Sequence, residues 1–271
     1  MNRYRIASIT VALAAVGAFL AGCNASDEPR TTWNAAPAPS ESASSAPASG
    51  TGGGEGTSAL PVAARTDASG VAGVQATTES GAVALTFDDG PDPNYTPKML
   101  ALLKKNDVKA TFCLVGVQVQ QFPQLVRDIV ADGHTLCNHT WKHDTKLGTR
   151  GEDAIRADIQ RTQEAIQAAA PGAEVKYFRH PGGMWTPRAV KVASAMGLAS
   201  IGWDVDPMDW NIAKYPAGNP MRDHILQVVR SKVQAGSIVL SHDAGGDRAG
   251  TLAAYEILVP ELKQKYQLTA L

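Results

Sequence analysis

From Gly81 to the C-terminus, short apolar runs alternate with longer amphipathic segments, and no other feature constrains the fold as strongly. The runs are Ala82–Phe87, Ala110–Val115, Thr135–Asn138, Tyr177–Arg179, Ala199–Trp203 and Ser237–Leu240, each partly β-branched or aromatic. Runs of that kind read as strands, and intervening segments long enough for helices predict an α/β domain with a largely parallel sheet.

The intervening segments carry helix signals. Thr96-Pro97 offers an N-cap and a proline at the first helical position, followed by Met99, Leu100, Leu102 and Leu103 as an apolar face. Ile155, Ile159, Thr162, Ile166 and Ala169 recur at helical spacing, with Glu152, Asp153, Arg156 and Gln163 turned outward. Asn219-Pro220 repeats the cap logic before Ile225, Val228 and Val229. A last helix carries Leu252, Tyr255, Leu258 and Leu262, and Pro260 is expected to interrupt or restart it.

The first eighty residues have a different character. Arg3 and Arg5 precede an apolar stretch, Ile6 to Leu20, too short for a comfortable membrane span but suited to a secretory signal peptide over residues 1–22. It closes on Leu20-Ala21-Gly22-Cys23, which resembles a bacterial lipobox, so Cys23 is expected to carry lipid and anchor an exported chain to the cell membrane, facing the wall or the exterior. The rest of 23–80 is rich in Ala, Ser, Thr, Gly and Pro and cannot bury a core. Such a tether has a reach of roughly 40 Å, from about 5 to 6 Å times the square root of its length. The folded domain is therefore placed at 81–271.

The formal net charge is −1 and no basic cluster stands out, so nothing points to nucleic acid. No protein partner is predicted. With Cys23 set aside, Cys113 and Cys137 remain, and in an exported protein they are either a disulfide or two small buried thiols.

Chemistry concentrates in five segments near the ends of the expected strands: Thr86-Phe87-Asp88-Asp89-Gly90, His139-Thr140-Trp141-Lys142-His143, Arg179-His180-Pro181-Gly182-Gly183, Asp206-Pro207-Met208-Asp209-Trp210 and Leu240-Ser241-His242. Ligand sites of parallel α/β folds gather at the carboxyl ends of strands. Asp89, His139 and His143 supply one carboxylate and two imidazoles, a set suited to a catalytic zinc ion that keeps one position for water. A second carboxylate, Asp88, is left for proton transfer. Gly90-Pro91 supplies a turn that could bring two adjacent aspartates to one side.

The five ordered segments resemble the motifs of the polysaccharide deacetylases, the NodB-type carbohydrate esterases of family four, over the chain from about Gly81 onward. The resemblance implies a distorted (β/α) barrel, commonly of about seven strands, and a metal-dependent hydrolase that removes acetyl groups from a polysaccharide. It implies Asp88 as general base, Asp89, His139 and His143 as metal ligands, and Arg179 as the residue that holds the base. His242 is implied as general acid, and Asp206 is expected to be the partner that orients its ring. The backbone N–H of Gly182 falls where the family places an oxyanion donor, commonly from a tyrosine; glycine keeps the donor and loses one wall of the groove. Leu240 is expected to line the pocket for the acetyl methyl group, and Trp210 to form a side of the groove. His134, His180 and His224 are expected to be structural.

Zinc suits the ligand set best, and cobalt or nickel would suit it too. Substrates compatible with the resemblance are N-acetylglucosamine in peptidoglycan or chitin-like oligomers and O-acetyl groups of xylan; a lipid anchor favours the cell's own wall. Two other readings compete. A non-catalytic carbohydrate-binding lipoprotein on the same fold would be expected to have lost one of Asp88, Asp89, His139, His143 or His242, and all are present. A two-His-one-carboxylate iron enzyme would place a His-x-Asp pair close together, which is absent here.

Overall fold

The computed structural model describes residues 70–271. The signal segment 1–22, Cys23 and the tether up to 69 lie outside the described residues. Eight parallel strands are joined in one sheet: β1 (Val74–Gln75), β2 (Val83–Asp88), β3 (Thr111–Leu114), β4 (Thr135–Asn138), β5 (Val175–Phe178), β6 (Ala199–Ile201), β7 (Ile238–His242) and β8 (Leu268–Thr269). The order is β1-β6-β5-β4-β3-β2-β7, with β8 beside β2. Beyond β6 the chain returns to β7 through a bridge between Val205 and Val239, where Leu240 N–H donates to Val205 O at 2.9 Å. That contact closes the open sheet into the distorted barrel expected from the motifs, with seven strands on its path.

The helices are α1 (Thr96–Lys105), α2 (Gly116–Gln121), α3 (Pro123–Ala131), α4 (Glu152–Ala169), α5 (Pro187–Ala195), α6 (Asn219–Lys232) and α7 (Ala249–Lys265). Strand alternation sorts the side chains. On β2, Val83, Leu85 and Phe87 join the main core with Leu103 of α1 and Leu258 of α7, while Thr86 and Asp88 take part in a buried polar network around Arg179. Phe87 packs between Phe112, tilted with centroids 5.4 Å apart, and Tyr255, edge-on at 5.2 Å, tying β2 to β3 and to α7. The helix legible at 152–169 buries the residues its spacing selects, Ile155, Ile159, Thr162, Ile166 and Ala169. Full burial of each isoleucine stabilises by about 1.5–3 kcal/mol, as an upper estimate.

Four local expectations change. Folded structure begins before Gly81, the domain start expected from sequence: β1 pairs with β6, and Ala76, Thr77 and Thr78 are buried. Thr96 does not cap α1; Tyr95 holds the cap position, while the Thr96 hydroxyl accepts from Asp92 N–H and donates to Asp243. At α6 the cap position falls on Gly218, at φ 82°, instead of Asn219. Pro260 lies inside a continuous α7, whose buried Tyr255, Leu258, Val259 and Leu262 hold the helix on the sheet across the missing N–H. No helix among the described residues is long and apolar enough to cross a membrane.

Candidate active site

The carboxyl ends of β2, β4, β5 and β7 meet around a cavity of about 340 Å³ lined by Asp88, Asp89, His139, His143 and His242. Gly182, Trp203, Asp206, Trp210, Leu240, Gly245 and Arg248 complete its walls. Adjacent side chains of a strand point to opposite faces, so Asp88 and Asp89 could not share a site on a regular β2. The backbone turns between them. Asp89 has φ 76°, and the Gly90–Pro91 peptide that follows is cis.

The next two candidate ligands follow β4. His139 is buried, and its Nδ1 lies 2.8 Å from Arg179 O. A carbonyl can only accept, so Nδ1 carries the hydrogen and Nε2 presents its lone pair to the cavity. Burial, opposed by the charges of Asp88 and Asp89, pushes the His139 pKa down and favours the neutral ring that a metal requires. His139 Nε2 stands 3.6 Å from Asp89 Oδ1, and His143 Nε2 stands 3.3 Å from the same oxygen. One donor atom from each of the three residues lies within 4.8 Å of the others. Asp89 Oδ1 is buried and accepts no hydrogen bond, which leaves an unsatisfied anion between two imidazoles. A buried carboxylate oxygen without a partner is costly. A divalent ion would satisfy it, so the residues present fit the metal that the motifs imply.

The ligand loop is held from β3. Gly116 N–H at the start of α2 donates to Thr140 O, and Val117 N–H to Trp141 O, each at 3.0 Å. Trp141 lies against Gly116, where a Cβ would collide with the indole, and Arg161 covers its ring with the guanidinium carbon 3.8 Å from the centroid.

Arg179 is buried and orients Asp88. Its Nη1 donates to Asp88 Oδ1 at 2.8 Å and to Thr86 Oγ1 at 2.7 Å, while Nε and Nη2 donate to Ile201 O and Gly202 O. The guanidinium thus fixes one oxygen of Asp88; the other lies 3.6 Å from His139 Nε2.

His242 occupies the place expected of it, with a different partner. Its Nδ1 lies 2.6 Å from Asp209 Oδ1, and its N–H donates to Asp209 Oδ2 at 2.9 Å. Asp206, the partner expected from sequence, does not reach the ring by hydrogen bond. It accepts from Met208 N–H at 2.6 Å and from Trp210 Nε1–H at 3.4 Å, closing the turn in which Met208 adopts φ 55°. That turn aims Asp206 at its own loop and buries Asp209 behind β7, where Thr251 also donates to it at 2.9 Å. Burial opposes the His242 imidazolium, yet the charge and hydrogen bond of Asp209 outweigh it and lift the pKa to about 9. Burial pushes Asp206 up.

Gly182 lines the cavity at φ 62°, in a 3₁₀ turn over Pro181–Gly183. Leu240 is a buried apolar part of the wall, and Trp210 stands about half exposed at the rim, 47%. His180 is structural, as expected: Gly148 N–H donates to its Nε2, and its Nδ1 faces Pro181 O. His134 accepts from Ala110 N–H, and burial drops its pKa to about 4. His224 stacks on Tyr215, ring centroids 3.4 Å apart.

Two further participants lack a signal in the chain alone, and a third, Asp243, is marked there only by its place beside Leu240-Ser241-His242. Trp203 lines the cavity beyond the end of β6. Arg248 is buried and donates to Asp209 O, Ala244 O and Gly245 O, bracing the loop after β7 over the site. Asp243 is buried behind Gly90 and Thr96; desolvation first, then the charge of Asp89, raises its pKa to about 7.

The braced loop makes a prediction. Gly245 has φ 72°, and a Cβ there would collide with the Asp89 carboxylate. Gly245→Ala is expected to displace Asp89 and weaken binding of a divalent metal about 10–100-fold, as outer-shell changes do. Competition against a chromophoric chelator measures it, and unchanged affinity would contradict the packing.

A family model described as "Polysaccharide deacetylase" matches residues 75–201. A chitooligosaccharide deacetylase of Sinorhizobium fredii is 37% identical over 193 residues, covering 68% of this chain and 86% of that protein. A peptidoglycan-N-acetylglucosamine deacetylase of Bacillus cereus is 36% identical over 185 residues, covering 68% and 82%. Among solved structures, a carbohydrate esterase family 4 pseudoenzyme from Bacillus anthracis superposes with TM-score 0.63 at 32% identity, covering 70% of this chain and 64% of that one.

Proposed function

Because the chain belongs to the polysaccharide deacetylase family, we propose that it hydrolyses acetyl groups from a polysaccharide at the cavity around Asp88 and Asp89, with N-acetylglucosamine of peptidoglycan as its first substrate class. Chitin-like oligomers and O-acetylated xylan are the other classes compatible with the site. The observation that carries the reading is the unpartnered, buried Asp89 Oδ1 between His139 and His143, beside an Asp88 already aimed by Arg179.

Asp89, His139 and His143 would hold one divalent ion, zinc first and cobalt or nickel as substitutes, which supplies an acidified water and a Lewis acid for the acetyl carbonyl. Asp88 takes the proton from the attacking water with the oxygen that Arg179 leaves free. His242 has its Nδ1 committed to Asp209, so Nε2 is the nitrogen available to give a proton to the departing amine or alcohol. The Gly182 backbone N–H is assigned to the developing oxyanion, the apolar Leu240 to the acetyl methyl group and the Trp210 ring to a sugar face. Asp206 then belongs to the groove wall and not to the acid.

Membership of the same family by a pseudoenzyme keeps a binding role in view. The complete set Asp88, Asp89, His139, His143 and His242 around one cavity favours catalysis. We assign the chain to the exported, lipid-anchored proteins on its first 23 residues. The buried Cys113–Cys137 disulfide suits the same oxidising compartment. A lipid anchor of that kind points to the cell's own wall as substrate.

The test is acetate release by the zinc-loaded chain from N-acetylglucosamine oligomers, peptidoglycan fragments and acetylated xylan. Release from peptidoglycan fragments, abolished by a chelator, is expected. No release from any of them at stoichiometric zinc would leave the binding role.

A further inference from the structure

The Cys113–Cys137 disulfide has no part in the chemistry above, yet it lies at the level of the base in the sheet. Asp88 pairs with Cys113, and Cys113 with Cys137, along one row of neighbouring strands. β2 ends at Asp88 with Asp89 immediately after it and β4 runs directly into His139, whereas β3 between them brings no ligand. β3 is therefore the spacer that sets how far Asp89 stands from His139. The bond fastens this spacer to β4 two residues before His139, with the Cα atoms 4.2 Å apart.

The remainder of the ligand loop hangs from the same support. His139 N–H donates to Leu114 O at the end of β3, and the first amides of α2, which follows β3 directly, hold Thr140 O and Trp141 O. On its opposite edge β4 pairs with β5 through an irregular register that shifts between Leu136 and Cys137, whereas its register with β3 is unbroken from Thr135 to Asn138. The loop itself places two non-glycine residues in the left-handed region, Thr140 at φ 69° and His143 at φ 55°. Such conformations persist only where the surroundings over-determine them.

We propose that the Cys113–Cys137 disulfide is a positioning device for the metal ligands: by locking β4 to β3, it fixes His139 and His143 relative to Asp89. The inference rests on the reading of those three residues as the metal site. Both sulfurs are fully buried against Ile201, with Tyr177 and Leu271 packed around them, so the effect on the ligands passes through the strands and not through solvent.

The experiment is a titration of the full chain with cobalt(II) alone, read by its d–d absorption, which reports affinity and ligand geometry without substrate. Wild type is compared with Cys113→Ala/Cys137→Ala and with Cys113→Ala/Cys137→Val, which restores part of the lost volume. The expected result is cobalt binding weakened at least about 10-fold in both folded variants, with an altered spectrum, while Leu258→Ala, which loosens the core at α7, keeps the wild-type affinity. Affinity within twofold of wild type in a folded double variant would overturn the proposal and leave the bond a simple staple. Should neither double variant fold, the same titration compares oxidised and reduced wild type, with any capture by the freed thiols visible as a thiolate charge-transfer band. Equal affinities there overturn the proposal, and a loss supports it. Wild-type binding that survives His143→Ala would place the metal elsewhere and overturn the site reading first, an outcome distinct from failure of the clamp.

Discussion

Asp88→Asn is expected to lower kcat by about 10³–10⁴-fold while the chain still binds one zinc ion, the upper range for loss of a general base. The substitution keeps an acceptor for Arg179 and removes the proton acceptor. Arg179 Nη1 stays satisfied by the amide oxygen and by Thr86, and its other nitrogens keep Ile201 O and Gly202 O. What is lost is the only anion that, among the described residues, is bonded to this fully buried guanidinium. Removing one partner of a buried pair costs about 3–5 kcal/mol when nothing replaces it, and the retained hydrogen bonds keep this variant below that range. Zinc content, melting temperature and kcat, measured on one preparation, separate the two effects. A kcat within tenfold of wild type at full zinc occupancy would remove Asp88 from the base role and direct attention to another acceptor in the cavity.

Residues whose placement depends on a strand end were legible in the chain. Asp88, Asp89, His139, Arg179, Leu240 and His242 sit on or just after β2, β4, β5 and β7, and the alternation of apolar runs locates those ends within one or two residues. The α4 face was legible for the same reason, since helical spacing states directly which side chains are buried. Loop residues were not. Asp206 and Asp209 are three apart in a segment without periodicity, and the positive φ of Met208 decides which carboxylate turns back to β7. Arg248 follows a turn and precedes a helix, where a lone cation normally points to solvent, and only the folded loop shows it buried against three carbonyls. β1 is two residues long inside a stretch of small residues, so it has neither length nor pattern to mark it. The cysteines were visible as a possible pair, but their bonding depended on the parallel register of β3 and β4, which no local pattern encodes.

The choice between the two carboxylates gives the second large effect. Asp209→Asn is expected to reduce kcat at pH 8 by about 10²-fold and to move the alkaline limb of the pH profile to lower pH. The pKa of His242 is about 9 because Asp209 overcomes the penalty of burying an imidazolium. Without that charge, burial is opposed only by the weaker pull of Asp89 and Asp88, so the ring pKa falls and at pH 8 a smaller fraction keeps the proton for the leaving group. Misorientation adds to the loss, because Asp209 accepts both the ring Nδ1–H and the backbone N–H of His242. A metal ion beside Asp89 repels the imidazolium, so in the loaded enzyme the wild-type limb lies at lower pH than about 9, and the displacement between wild type and variant is the quantity to read. Stability carries the same sign. The folded pKa of His242 is raised, so its contribution is complete below about pH 6.5 and is lost as pH rises through about 9. In wild type the melting temperature should therefore decline across that window more steeply than in Asp209→Asn. Asp206→Asn is the decisive companion: it should leave the limb near its wild-type position and act on KM through the Trp210 wall. A limb that moves with Asp206 and ignores Asp209 would restore the pairing expected from sequence and overturn the one drawn from the fold.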